Sequence, residues 1–316
     1  MTGTNSPTVS VVMGVYNGAE SLTPSVQSIL SQAHCDFELI VVDDGSKDDS
    51  GRILDELSAQ DARLRVIHQD NTGLTRALIR GCAAAAGEFI ARQDCGDVSA
   101  PGRLAAQVYC LRSRKDAVAV TCHTQFLVPG GEPLYVSKQS EDQLNVGLVI
   151  QEGRQCRGPS HHGSVMMRRS AYEAVGGYRP EFYFAQDLDL WARMAELGRF
   201  AVLDEVLYQA CLEPQSLSGM QSNEQRTLAE LITRAGLARR AGQSEASVLG
   251  LASTIRPVAR SGRAKRIAAG NYFIGCCLRR TNPGAAVEYF RQAVNQDPWH
   301  WKARARWLHA RLAATW

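Results

Sequence analysis

Two acidic clusters stand out as residues that can do chemistry: Asp43-Asp44-Gly45-Ser46 and Asp94-Cys95-Gly96-Asp97. Ionised carboxylates are pure acceptors, so a pair of them can take N–H and O–H groups from a base or a ribose. Grouped carboxylates also suit a hard divalent cation, which prefers oxygen ligands and keeps positions open for phosphates. A diphosphate leaving group needs such a cation against its developing charge. The plain alternative for residues 43–46 is a turn that caps the next helix. A dinucleotide site would need a glycine fingerprint after the first strand. Gly14-Val15-Tyr16-Asn17-Gly18 lacks it, and no P-loop pattern occurs. Phosphates therefore need another holder, which favours a metal.

The elements that must position these clusters follow from the apolar runs. Residues 8–15, 37–42, 64–68 and 88–92 read as short buried strands. Helices are expected from about Ala19, with Pro24 in the first turn, and over 73–86. Strand centres about 25–30 residues apart with helices between are the βαβ pattern. The fold class is α/β, a doubly wound and mostly parallel sheet, followed by an all-α C-terminal region. Such sheets bind ligands at the carboxyl ends of their strands, where both clusters fall. Beyond them come a helix over 101–114, a strand over 117–128, a long loop over 129–160, a strand over 163–168 and an amphipathic helix over 187–197. Past Glu213 only helical patterns remain.

Charge divides the chain in the same place. Ser216 to Trp316 has 16 basic and five acidic residues, net +11, whereas Met1 to Gln215 nets −8. The nine cysteines are odd in number and form no CxxC pair, against both a disulfide framework and a zinc knuckle. No apolar stretch approaches the ~20 residues of a membrane span. Met1–Thr8 lacks the regions of a signal peptide, so a cytoplasmic protein is expected. Trp299, Trp301, Trp307 and Trp316 lie among Lys302, Arg304, Arg306 and Arg311. That mixture suits an anionic membrane surface, giving peripheral association with the inner face of the cell membrane, and equally a packed helix with a basic face. No nucleic-acid module is present.

Six segments, in order, resemble family 2 glycosyltransferases of GT-A fold: VSVVMGVYNG (9–18), VVDDGSKDDS (41–50), NTGLTRALIRG (71–81), ARQDCGDVSAPGRLAAQ (91–107), HHGSVMMRRSAYEAVGGY (161–178) and AQDLDLWARM (185–194). The resemblance covers about residues 8–210. It implies a catalytic domain over 1–218, with a nucleotide-sugar half over 8–115 and an acceptor half over 116–218. A basic helical region over 219–316 follows, with one tetratricopeptide-like hairpin over 282–304. It implies an inverting, hexosyltransferase-like transfer from a nucleotide-diphosphate sugar, UDP-sugar foremost, to a glycan or lipid-linked acceptor in polysaccharide biosynthesis. Tyr16, Asn17, Asp43, Asp44 and Asp94 then contact the nucleotide. Asp94 and Asp97 hold Mg²⁺ or Mn²⁺, and Asp187 is the catalytic base. His161, His162 and Gln186 are candidate acceptor or diphosphate contacts.

The family pattern is broken at three places. Gly96 stands where a metal-binding aspartate is usual, Gln186 replaces a glutamate, and Ile79 stands where many relatives carry asparagine. The first leaves one charge fewer at the metal, so a domain that binds glycan or scaffolds without turnover is the alternative. Other bland readings stand beside the functional ones. Asp187 would cap its helix, the histidines would be structural, and Cys95 a small filler. Arg103 would pair with a site carboxylate or decorate its helix.

Overall fold

The computed structural model describes residues 6–214, 223–256 and 263–313. Four strands, β1 (Val9–Val15), β2 (Phe37–Asp43), β3 (Leu64–His68) and β4 (Phe89–Arg92), alternate with α1 (Ala19–Leu30), α2 (Ser50–Ser58) and α3 (Leu74–Ala83). They pair in parallel in the order β3-β2-β1-β4. β1, β2 and β4 are buried on both faces and read as continuous apolar runs, whereas β3 at the sheet edge leaves Arg65 and His68 exposed. Val9, Val11, Val12 and Met13 are fully buried, each contributing about 1.5–3 kcal/mol. Pro24 lies inside α1, as its sixth residue and not in its first turn, so the helix forgoes one hydrogen bond to the Glu20 carbonyl.

The next elements are β5 (Val98–Ser99), α4 (Arg103–Ser113), β6 (Ala117–Leu127), β7 (Pro133–Ser137), α5 (Glu141–Leu148), a 3-10 turn at His162–Ser164, β8 (Met166–Arg168), α6 (Arg169–Ala174), α7 (Gln186–Met194) and β9 (Arg199–Cys211). They extend the sheet to the order β3-β2-β1-β4-β8-β6-β9-β5, with β7 beside β6. β8 runs antiparallel to β4 and β6, and β5 antiparallel to β9. The expected loop over 129–160 thus contains a strand and a helix. Ser140 and Gln143 form a capping box that starts α5, a signal present in the sequence.

Then come α8 (Asn223–Arg240), α9 (Ala246–Thr254), α10 (Arg263–Leu278), α11 (Pro283–Gln296) and α12 (Trp301–Ala313). Two compact units result. The first comprises Met1–Thr124, Ser137–Ala210 and Thr227–Ile255; the second, Gln125–Val136, Cys211–Arg226 and Arg256–Trp316. The boundary expected at residue 218 falls outside the described residues, and the units do not part at one point. Leu228, Leu231, Ile232, Val248 and Ala252 share a core with Leu148, Ile150 and Trp191, which draws α8 and α9 into the first unit. In the second, Phe126 stacks on Tyr135 across the β6–β7 hairpin at 4.9 Å. Asn282 caps α11 by accepting from the Ala285 amide at 3.0 Å. Ala268, Ala293 and Ala303, all fully buried, let α10, α11 and α12 approach closely. Among the described residues no helix is long and apolar enough to cross a membrane.

Candidate active site

Strand register brings the chemistry to one edge. Val15 pairs with Asp43, Asp43 with His68, and Val12 with Arg92, so the carboxyl ends of β1 to β4 align. Tyr16 and Asn17 follow β1, Asp43 and Asp44 end β2, and Asp94 and Asp97 follow β4. Chain order reverses between β1 and β4, and ligands of such sheets enter at that switch.

On the β2 side both aspartates are buried. Asp43 Oδ1 accepts from the Ser46 amide at 3.0 Å, and Oδ2 meets His68 Nδ1 at 2.9 Å. Burial pushes the Asp43 carboxyl up, but Ser46 and His68 outweigh it and hold the group below the usual range. Asp44 accepts from Gln69 Nε2 (2.6 Å), the Thr72 amide (2.9 Å), Thr72 Oγ1 (3.2 Å) and the Gly73 amide (2.8 Å). Four bonds occupy most of a carboxylate's acceptor capacity, so Asp44 secures the approach to α3. The cluster makes a turn but caps no helix, since α2 starts from Asp49 without a side-chain bond. Asn17, in the left-handed region at φ 51°, accepts from the Lys47 amide at 2.8 Å and donates its own amide to Ser46 Oγ at 3.0 Å. Tyr16 is exposed.

On the β4 side Asp94, Asp97 and His161 bring three ligand atoms within 4.8 Å of one another. Asp94 Oδ2 lies 4.0 Å from His161 Nδ1, and Asp97 Oδ2 lies 3.5 Å from His161 Nε2. Gly96 has φ +96°, and a Cβ there would find its nearest neighbour at 3.5 Å. Backbone conformation, not space, therefore demands glycine in the turn from Asp94 to Asp97. An imidazole from the residue just before the 3-10 turn stands beside the two carboxylates. Two carboxylates suit Mg²⁺ or Mn²⁺, and the added imidazole favours Mn²⁺ of the two.

Buried groups hold this cluster in place. Arg92, fully buried, donates to Asp94 Oδ1 at 2.7 Å, to His162 Nε2 at 3.3 Å and to the Val12 carbonyl. Burial pushes the Asp94 carboxyl up, yet Arg92 together with the two histidines and Arg103 outweighs it and holds the group below its ordinary value. His162 Nε2 also meets Tyr178 Oη at 2.7 Å. Burial, then Arg92, lowers its pKa to about 3, so the ring is neutral and accepts both bonds. The adjacent histidines thus differ: His161 faces the acids, and His162 orients Arg92. Arg103 neither pairs with a carboxylate nor decorates its helix. It is fully buried, donates to the carbonyls of Gly163 (2.6 Å) and Arg92 (3.0 Å), and lies over the Tyr208 ring. Cys95 is held as a thiol by burial, its pKa pushed up to about 11.

Tyr208, on β9, was not legible as a site residue because that strand was not expected. Its hydroxyl accepts from the Asp94 amide at 3.1 Å and donates to Asp97 Oδ2 at 2.9 Å. A Cβ at Gly163 would stand 1.9 Å from that hydroxyl. Gly163→Ala should therefore displace Tyr208, destabilise the protein by about 1–3 kcal/mol and loosen the acid cluster. Urea denaturation checks this; an unchanged midpoint would show that Tyr208 stands elsewhere.

Asp187 is the second residue of α7, and Ala185, left-handed at φ 55°, is the N-cap, so Asp187 does not cap. Its Oδ1 accepts from the Leu188 amide at 2.8 Å. Burial pushes its carboxyl up, and the nearby charge of Asp94 adds to this. Gln186 beside it is buried. Asp189 is committed elsewhere, in a buried pair with Arg193 at 2.5 Å. Two non-glycine residues in the left-handed region, Asn17 and Ala185, thus flank the site, where backbone strain commonly collects.

Residues 10–176 match the family described as Glycosyl transferase family 2. The chain belongs to this family. It is 35% identical over 212 residues to the putative glycosyltransferase EpsE of Bacillus subtilis, covering 65% of this chain and 73% of EpsE. In structure it is similar to S. aureus TarS in complex with UDP, at a TM-score of 0.57 and 16% identity over 96% of this chain and 88% of that one. Mannosyltransferase PcManGT from Pyrobaculum calidifontis, in complex with GDP-Man and Mn²⁺, gives a TM-score of 0.57 and 17% identity over 99% and 88%. These neighbours share the GT-A fold. The family 2 glycosyltransferase is thus an α/β enzyme with a helical C-terminal region, and its Asp94–Asp97–His161 group is a candidate divalent-cation site.

Proposed function

We propose that the enzyme moves a sugar, with inversion, from a UDP-sugar to a hydroxyl of a glycan or lipid-linked acceptor. The observation that carries this reading is the meeting of Asp94, Asp97 and His161 at the strand ends, with half-buried Asp187 near enough to feel the charge of Asp94. Tyr16 and Asn17 offer a ring and a polar turn to the nucleoside, Asp43 accepts from base or ribose, and Asp44 shapes the pocket wall. Asp94, Asp97 and His161 would hold Mg²⁺ or Mn²⁺. Such a cation supplies charge to the departing diphosphate. Asp187 takes the proton of the acceptor hydroxyl as that oxygen attacks the anomeric carbon opposite the nucleotide. No covalent intermediate on the enzyme is required. Gln186 lines the acceptor side, and His162 acts through Arg92. UDP bound to TarS and GDP-Man with Mn²⁺ bound to PcManGT support a nucleotide-sugar donor with a metal.

Thermal shift across UDP-, GDP- and dTDP-sugars with Mn²⁺ tests the donor. Ligand at about 100 times its Kd adds about 2.7 kcal/mol, or roughly 5 °C and more for a domain of this size. UDP-sugars should give the largest shift. No shift with any of them would leave a glycan-binding domain without turnover.

A further inference from the structure

We propose that the exposed face of α12 docks on an anionic lipid bilayer. This rests on the second unit alone and is independent of the catalytic reading. Trp301, Ala305 and Leu308 follow i, i+4, i+7 spacing, so they share one face of the helix. All three are exposed, Trp301 by 71% and Leu308 by 50%. Trp299, in the turn just ahead, is exposed by 88%. Ala303, on the opposite side, is fully buried against Ala268 and Ala293. The helix is therefore anchored through one face while it turns indole and leucine outward, where packing among the described residues of the unit gives them no cover.

Charge identifies the occupant. Trp299 to Trp316 holds four basic residues and no acid. Lys302 and Arg304 are exposed and flank the apolar stripe on its two sides, and Lys302 Nζ lies 5.6 Å from the centre of the Trp301 ring. A second copy meeting this face across a two-fold axis would set cations against cations. Anionic headgroups meet the cations, while indole and leucine enter the headgroup–acyl boundary, the level that tryptophan prefers. His300 takes no part, because it caps α12 by accepting from the Ala303 amide at 3.1 Å and packs beside Tyr272.

Co-sedimentation of the full chain with sucrose-loaded vesicles tests this. Vesicles of phosphatidylcholine with phosphatidylglycerol should bind the protein, and phosphatidylcholine alone should bind it weakly. Lys302→Gln and Arg304→Gln should each cost about fivefold, with the loss shrinking as salt rises. Trp301→Ala with Leu308→Ala should cost at least ~tenfold on anionic vesicles. These are surface substitutions, and circular dichroism confirms that the variants fold. Equal sedimentation of the variants, or none by the native chain, overturns the proposal. So does a concentration-dependent dimer abolished by the apolar double variant, which would make a second copy the occupant. Release of bound protein by an oligonucleotide at constant salt would likewise contradict lipid docking.

Discussion

Asp187→Asn lowers kcat by about 10²–10⁴-fold, the contribution of a positioned general base, and leaves donor affinity within about twofold. The asymmetry follows from where Asp187 sits. It opens α7 behind a left-handed Ala185, and its Oδ1 accepts from the Leu188 amide and shares no hydrogen bond with the 43–46 turn. Removing its charge withdraws the proton acceptor without touching Asp43 or Asn17. The pH dependence carries the same signature. The proposed base must be ionised to accept the proton, and burial, with Asp94 adding, raises the Asp187 carboxyl above its ordinary value. The acid limb of kcat/KM should therefore lie above that value and vanish in the asparagine variant. Single-turnover kinetics with a UDP-sugar, beside calorimetric donor binding, separates the two quantities. Equal loss in binding and turnover would make Asp187 a structural residue.

Asp97→Asn should weaken Mn²⁺ binding by at least ~100-fold. Loss of an outer-shell partner alone costs 10–100-fold, so loss of a ligand costs at least that much. His161→Ala should lose at least ~tenfold, whereas His162→Ala should lower stability, because it strips buried Arg92 of an acceptor. Adding Gly96→Asp to His161→Ala should not restore the metal, although the aspartate would complete the family's motif. With φ at +96°, position 96 lies outside the conformations that an aspartate readily adopts. Titration of Mn²⁺ followed by electron paramagnetic resonance reads the three metal-site variants, and thermal denaturation reads His162→Ala. Rescue by Gly96→Asp would contradict the backbone argument at position 96, and an unchanged affinity in His161→Ala would mean that His161 is no ligand.

The parallel half of the sheet was legible because its inner strands β1, β2 and β4 are buried on both faces and its strands are bounded by turn residues. The aspartates were legible because strand ends were. What escaped depended on contacts distant in sequence. β9 runs thirteen residues and carries Asp204-Glu205 in its middle, which breaks the apolar run, so Tyr208 was missed with it. Position 96 looked like a lost ligand because spacing along the chain cannot show that a histidine 65 residues away stands beside Asp94 and Asp97. Arg103 looked like the partner of a site carboxylate or a helix-surface cation, yet it fills the space between β4, the 3-10 turn and Tyr208. His161 and His162 are indistinguishable by type, and only the Arg92 and Tyr178 side chains separate their roles. α8 and α9 joined the first unit through apolar spacing, against a charge pattern that suggested a break before them.

The central claim is a metal-assisted single displacement with Asp187 as base. Its most direct test is the configuration of the sugar released from an α-linked UDP-sugar with Mn²⁺, followed by proton NMR before mutarotation. The β anomer should appear first, with the signal absent under chelator and at least ~100-fold slower in Asp187→Asn. Initial release of the α anomer would contradict the account.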